Sequence, residues 1–127
     1  MILLFAASAA SMVTPQCAKL PDTYDINMCE RRQFEQADRA LNAQWKRSLA
    51  AMKRRDAGIQ DSRSVPPTYT QALISGQRAW LRFRDANCLV WAYRVRGGTA
   101  QPAREMACEI SMTLERIHEL RDQVKRY

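Results

Sequence analysis

The 127-residue chain has a single histidine, His118, only four glycines, and no Cys-x-x-Cys pair. A zinc cluster would need scattered thiols without the usual ligand spacing, so neither metal nor cofactor is expected. A Gly-rich phosphate loop and a hydrolase nucleophile elbow are both missing, which removes the commonest signatures of nucleotide and ester chemistry. No stretch alternates polar and apolar residues as a half-buried strand does, and there is no internal repeat or low-complexity run. Long apolar runs are scarce as well: the one at the N-terminus is too short to span a bilayer as a folded helix. Acidic charge is in deficit, with thirteen Asp and Glu against twenty Lys and Arg, for a net charge of +7. Such a surplus favours encounter with anionic partners, although on a small domain it is usually a solvated exterior.

With 46% hydrophobic residues the chain can bury one core, and its length is that of one domain. Residues 1–16, MILLFAASAASMVTPQ, are uncharged, with an apolar centre followed by small residues such as Ala7-Ser8-Ala9. They read as a secretory signal peptide whose basic start lies upstream, leaving residues 17–127 as the mature domain. Cys17 follows Thr-Pro-Gln rather than a small-residue lipobox, so no lipid anchor is expected.

Three amphipathic helices emerge from the remainder. The first runs from Thr23 or Asp25 to Arg55, with Phe34, Ala37, Leu41, Trp45, Leu49 and Met52 on one face. Pro66-Pro67-Thr68 marks the next start, and the second helix runs from Thr68 to Arg96 along Leu73, Trp80, Leu81, Cys88 and Trp91. Gly97-Gly98 suits a left-handed cap, and Pro102 suits the first turn of the third helix. That helix aligns Met106, Ile110, Thr113, Leu114, Ile117, Leu120 and Val124. Short connections between three long helices imply an all-α, antiparallel up-down-up three-helix bundle with two disulfides.

Arg84 falls inside the apolar stripe of the second helix, and Asp38 inside that of the first. Asp38 lies 17 residues before Arg55 and Arg84 lies 16 after Thr68, so an antiparallel hairpin sets them level. The spacing predicts that they meet as a structural polar core, extended by Asn42, Gln77 and Thr113. No nucleophile, histidine or second acid shares their seam, so the pair predicts helix register rather than catalysis.

Four cysteines in a small exported chain favour two disulfides in an oxidising compartment. Cys88 lies eight residues before Arg96, level with about Ser111, which favours Cys88 with Cys108 and Cys17 with Cys29. Cys108 points away from the Ile110 and Ile117 face of a regular helix, so Cys17 with Cys108 and Cys29 with Cys88 remains open.

Together these residues resemble a known family. Cys17 and Cys29, Ala37-Asp38-x-x-Leu41-Asn42 with Trp45, and Gln77-Arg78-Ala79-Trp80-Leu81-x-Phe83-Arg84-Asp85-x-x-Cys88 carry the likeness, followed by Gly97-Gly98 and Cys108 with Thr113, Arg116, Glu119 and Leu120. The chain resembles the lysozyme inhibitor LprI-like family over almost the whole mature sequence. The resemblance implies a small exported bacterial helical domain, periplasmic or secreted. The family's name comes from a lipoprotein member that inhibits lysozyme, and this chain departs from that member at the lipobox.

Three function classes follow. A non-catalytic binding protein that inhibits a muramidase would push Arg or Lys into the acidic cleft of a glycosidase, and the connection with Arg94, Arg96, Gly97 and Gly98 is the candidate probe. A +7 inhibitor suits a muramidase of acidic character better than a basic animal lysozyme, which it would repel over a Debye length of roughly 8–10 Å. An anionic envelope polymer such as lipopolysaccharide, a wall polymer or extracellular nucleic acid is the alternative partner; the export signal speaks against genomic DNA. An enzyme is not expected: His118 lies off the seam, and Glu115 and Glu119 are spaced as surface pairs.

Overall fold

The computed structural model describes residues 13–59 and 65–125. These residues are all-helical. A single turn, α1 (Pro15–Ala18), precedes the long α2 (Thr23–Gly58); α3 (Tyr69–Ala92) runs on into a 3-10 turn (Tyr93–Val95), and α4 (Gln101–Lys125) follows. Most of the segment read as a signal peptide, residues 1–12, lies outside the described residues.

The boundaries have local causes. Asp22 caps α2 by accepting the Asp25 amide at 2.9 Å, and Thr68 and Gln71 form a reciprocal capping box at the start of α3. α2 continues one turn past Arg55, and that turn carries Asp56. The Asp56 carboxylate accepts the amides of Tyr69 and Thr70 at 2.9 and 3.0 Å, so the end of α2 caps the start of α3. The Thr70 hydroxyl and these amides hold the Asp56 carboxyl below its ordinary range. α3 stops at Ala92, four residues before Arg96, because the backbone tightens into the 3-10 turn. Gly97, at φ +76°, therefore closes the chain reversal beyond that turn instead of capping α3.

Side-chain bonds order the long helices. Asn27 donates to the Thr99 carbonyl (3.1 Å), Ser48 to that of Leu120 (3.4 Å) and Arg55 to that of Val124 (3.5 Å), so α2 and α4 advance together. Between α3 and α4 the sequence order reverses: Cys88 joins Cys108, Arg84 reaches Thr113, and Gln77 reaches Arg116. α4 is thus buried on two sides. That second side answers the projection problem of Cys108, which is fully buried toward α3 while Ile110 and Ile117 belong to the other side.

The core gathers Leu41, Ile117 and Leu120, with Trp45, Leu73 and Trp80 packed around them. On α2 the fully buried positions are rotated from the expected stripe. Glu30, Ala37, Leu41, Gln44, Ser48, Ala51 and Met52 face inward, whereas Phe34, Trp45 and Leu49 are half-buried. The small Ala37, Ala51, Ala103 and Ala107 permit close helix approach, and the inward polar groups satisfy one another. Gln44 donates to Ser48 at 3.2 Å, and Ser48 donates on to α4. On α4, Leu114 leaves the expected face and is 48% exposed, while Arg116 takes an inward position.

Candidate functional site

The polar core does not join the residues that height alone sets level. Among the described residues no ion pair links Arg84 to Asp38. Arg84 instead donates through Nε to the Asp85 carboxylate at 3.0 Å and through Nη1 to the Thr113 hydroxyl at 3.2 Å. Asp38 is half-buried and accepts only a long 3.5 Å bond from the exposed Asn42. The rotation of α2 is the cause: turning Ala37 and Leu41 inward carries Asp38 to the rim.

Gln77 is buried and accepts from Arg116 Nε at 2.9 Å, while Arg116 Nη1 reaches Glu119 at 2.8 Å. The two arginines are reciprocal, Arg84 leaving α3 for α4 and Arg116 leaving α4 for α3. Trp80 sits between them, 5.4 and 5.6 Å from the two guanidinium carbons, and Phe34 lies 5.5 Å from that of Arg84. Each such contact is worth about 0.5–2 kcal/mol depending on desolvation. Their carboxylate partners, Asp85 and Glu119, are each 59% exposed. Both ion pairs therefore lead from the interior to water, and only the arginine side is desolvated.

Two more acids complete the interior, and neither was singled out by patterning of apolar residues. Glu109 is half-buried and its carboxyl is pushed up to about 7 by burial; Arg84 lowers it, and Asp85 and Glu105 raise it. Glu30 is fully buried, and its Oε1 accepts the Thr14 amide and hydroxyl at 2.6 and 2.8 Å. Its other oxygen has no hydrogen-bond partner among the described residues, and burial raises the Glu30 pKa despite the Thr14 bonds. Glu30 was legible through its heptad relation to Ala37, Gln44 and Ala51. Arg116 was legible too, since it lies three residues from Thr113 and four from Leu120.

Cys17 is bonded to Cys29 and Cys88 to Cys108, with Cα–Cα distances of 5.6 and 5.4 Å. His118 is exposed, and no group of three metal-ligating side chains occurs among the described residues.

The connection between α3 and α4 has a different character. Arg94 stacks over Trp91 at 4.4 Å and Arg96 over Tyr93 at 4.6 Å. The Gly97 amide donates to Gln101 at 2.9 Å, the Gly98 amide donates to the Val95 carbonyl at 2.9 Å, and the Asn27 amide holds the Thr99 carbonyl. Two exposed guanidiniums are thus fixed over aromatic rings on a turn that is tied at both ends. Elsewhere, a groove of about 450 Å³ between α2 and α4 is lined by Arg47, Arg54, Arg121 and Lys125 over an alanine floor, without an acidic residue.

Comparison with known proteins is consistent in one direction. A relative from Rhizobium meliloti (strain 1021), described as uncharacterized, is 30% identical over 117 residues, which is 92% of this chain and 84% of the relative. No solved structure matches the chain. The family model described as lysozyme inhibitor LprI matches residues 16–120, which takes in both disulfides, both inward arginines and the arginine-bearing turn. The chain belongs to the lysozyme inhibitor LprI family.

Proposed function

We propose that the protein works outside the cytoplasm, periplasmic or secreted, as a non-catalytic inhibitor of a muramidase. In this reading the signal peptide lies within residues 1–16 and is cleaved before Thr14, whose amide and hydroxyl bond to the buried Glu30. Residues 17–127 are one up-down-up three-helix bundle that presents the Arg94–Gly98 turn. Family membership supports the class of activity, and the two disulfides suit an oxidising compartment.

The observation that carries the reading is the pair of stacked guanidiniums. An inhibitor of a glycosidase must occupy a cleft that holds two carboxylates, and guanidinium matches carboxylate in both charge and fork geometry. Stacking on Trp91 and Tyr93 removes rotamer freedom from Arg94 and Arg96 before binding, which lowers the ordering cost at the interface. Titration of the mature protein against acidic bacterial and basic animal muramidases tests the reading. Inhibition of the acidic enzyme should fall by tenfold or more in Arg94→Ala plus Arg96→Ala, with the fold retained. Undiminished activity of every muramidase at large molar excess overturns it.

A second reading is supported by the basic groove between α2 and α4. Four cations around an acid-free groove suit an anionic envelope polymer. Such binding weakens steeply with salt, whereas a shape-matched inhibitor keeps much of its affinity. Charge reversal at Arg54 and Arg121 separates the two, since only polymer binding should respond.

A further inference from the structure

α3 has two faces. Its buried face carries Gln77, Arg84 and Cys88; another face carries a second apolar series, which no described element covers from Ala79 onward. Ala72, Gly76, Ala79, Phe83, Ala86 and Val90 are all exposed, and Tyr93 continues the series into the 3-10 turn. The intervals are four, three, four, three, four and three residues, an unbroken heptad seam without a polar residue. Phe83, Val90 and Tyr93 are 60%, 71% and 41% exposed, so the C-terminal half of the seam is presented to solvent, while Ala72 and Gly76 border a pocket shared with Met52, Arg116 and Gln123.

We propose that this seam docks one acidic amphipathic α-helix of a partner protein. The alternation of small and large residues argues for a helix. Ala79 and Ala86 leave notches seven residues apart, with Phe83 between them and Val90 just beyond as knobs, the relief into which a second helix interdigitates. A lipid surface is the poorer fit, because interfacial helices rely on a broad face of bulky apolar residues, and here small residues fill most of the seam. Charge selects the sign of the partner. Arg82 borders the seam on one side with Arg78 behind it, and Arg94 borders it on the other. Asp85 is the only acid in α3 and lies toward the buried side, paired with Arg84. A second copy of this chain would set arginine against arginine along the same borders, so self-pairing is opposed. The proposal goes beyond muramidase inhibition and does not depend on it.

The test uses the mature, oxidised protein and a fluorescent synthetic peptide of about four heptads, with Leu and Ile on its seam and Glu at every flanking position. Glu throughout the flanks keeps the peptide from pairing with itself. The expected result is saturable binding that weakens with salt, falls about tenfold or more in Val90→Glu and in Arg78→Glu plus Arg82→Glu, and is absent when Lys replaces Glu in the peptide. Val90 and Arg82 are exposed, so these variants should keep the parent's helicity and melting temperature; Ala86→Gln, which fills one notch, is the second variant if either does not. No binding, equal binding of the Lys peptide, Val90-dependent binding to phosphatidylglycerol vesicles instead, or Val90-dependent dimerisation of the protein alone would each overturn the proposal.

Discussion

Arg84→Met is the most informative single change in the interior. The substitution removes the 3.2 Å bond to Thr113, the 3.0 Å bond to Asp85, and the contacts with Trp80 and Phe34, while methionine retains most of the buried volume. Breaking a fully buried ion pair would strand a carboxylate at a cost of about 3–5 kcal/mol. Asp85, however, is 59% exposed, and water replaces the guanidinium there. What remains is one hydrogen bond to a neutral buried hydroxyl, about 0.5–1.5 kcal/mol, plus the aromatic contacts, so the loss should be about 1–3 kcal/mol. Urea unfolding followed by circular dichroism reads this directly, and double-mutant cycles locate its source. Arg84→Met with Thr113→Val should show a coupling of about 0.5–1.5 kcal/mol. Arg84→Met with Asp38→Asn should be additive within about 0.5 kcal/mol, because these side chains do not touch. A coupling above about 1 kcal/mol with Asp38, together with none to Thr113, refutes the geometry and restores the pairing that helix height alone suggests.

Glu109 binds a proton more tightly in the folded chain than in the unfolded one, since its carboxyl rises from 4.5 to about 7. Stability should therefore fall as pH rises from 4.5 to 7, by on the order of 1–2 kcal/mol once partial exposure is discounted. Glu109→Gln should flatten that slope, melting above the parent at pH 8 and level with it near pH 4; identical pH profiles would count against the assignment. Replacing Cys88 and Cys108 together by alanine opens a loop with a sequence separation of 20 and should cost about 3 kcal/mol in the loop-entropy picture, read as a lower urea midpoint. Gly97→Ala forces a side chain into φ +76° and should cost about 1–2 kcal/mol from backbone strain alone, since no atom lies within 4 Å of the added carbon. An unchanged melting temperature would show that the turn relaxes.

Axial information was legible in the sequence and azimuthal information was not. Helix existence follows from apolar periodicity and from the Pro66-Pro67-Thr68 and Pro102 start signals, and the levels of Cys88 and Cys108 follow from the distance of each to the intervening turn. Rotation about the helix axis is decided by which polar residues find partners inside. Gln44 and Ser48 enter the core of α2 because they bond to each other and to the Leu120 carbonyl, and this displaces Asp38 to the rim. A hydrophobic count gives such residues no inward weight. Arg116 has the spacing of the apolar face, three residues from Thr113 and four from Leu120, but the bond that turns it inward is made with Gln77, 39 residues away. The exposed seam of α3 was readable as a heptad, yet only its solvent exposure distinguishes a docking face from a second core face. The arginine-bearing turn was legible as Arg94, Arg96, Gly97 and Gly98, but the stacking of its cations on Trp91 and Tyr93 depends on how the 3-10 turn folds.

The covalent tie between α3 and α4 sits just behind that turn, closing a ring with Tyr93, Arg94 and Arg96 inside it. Whatever those cations grip, the segment that carries them is closed at its base by one S–S bond. Where thiols stay reduced, the same residues stand on an open segment, so oxidation adds a second hold on the turn beyond its own hydrogen bonds.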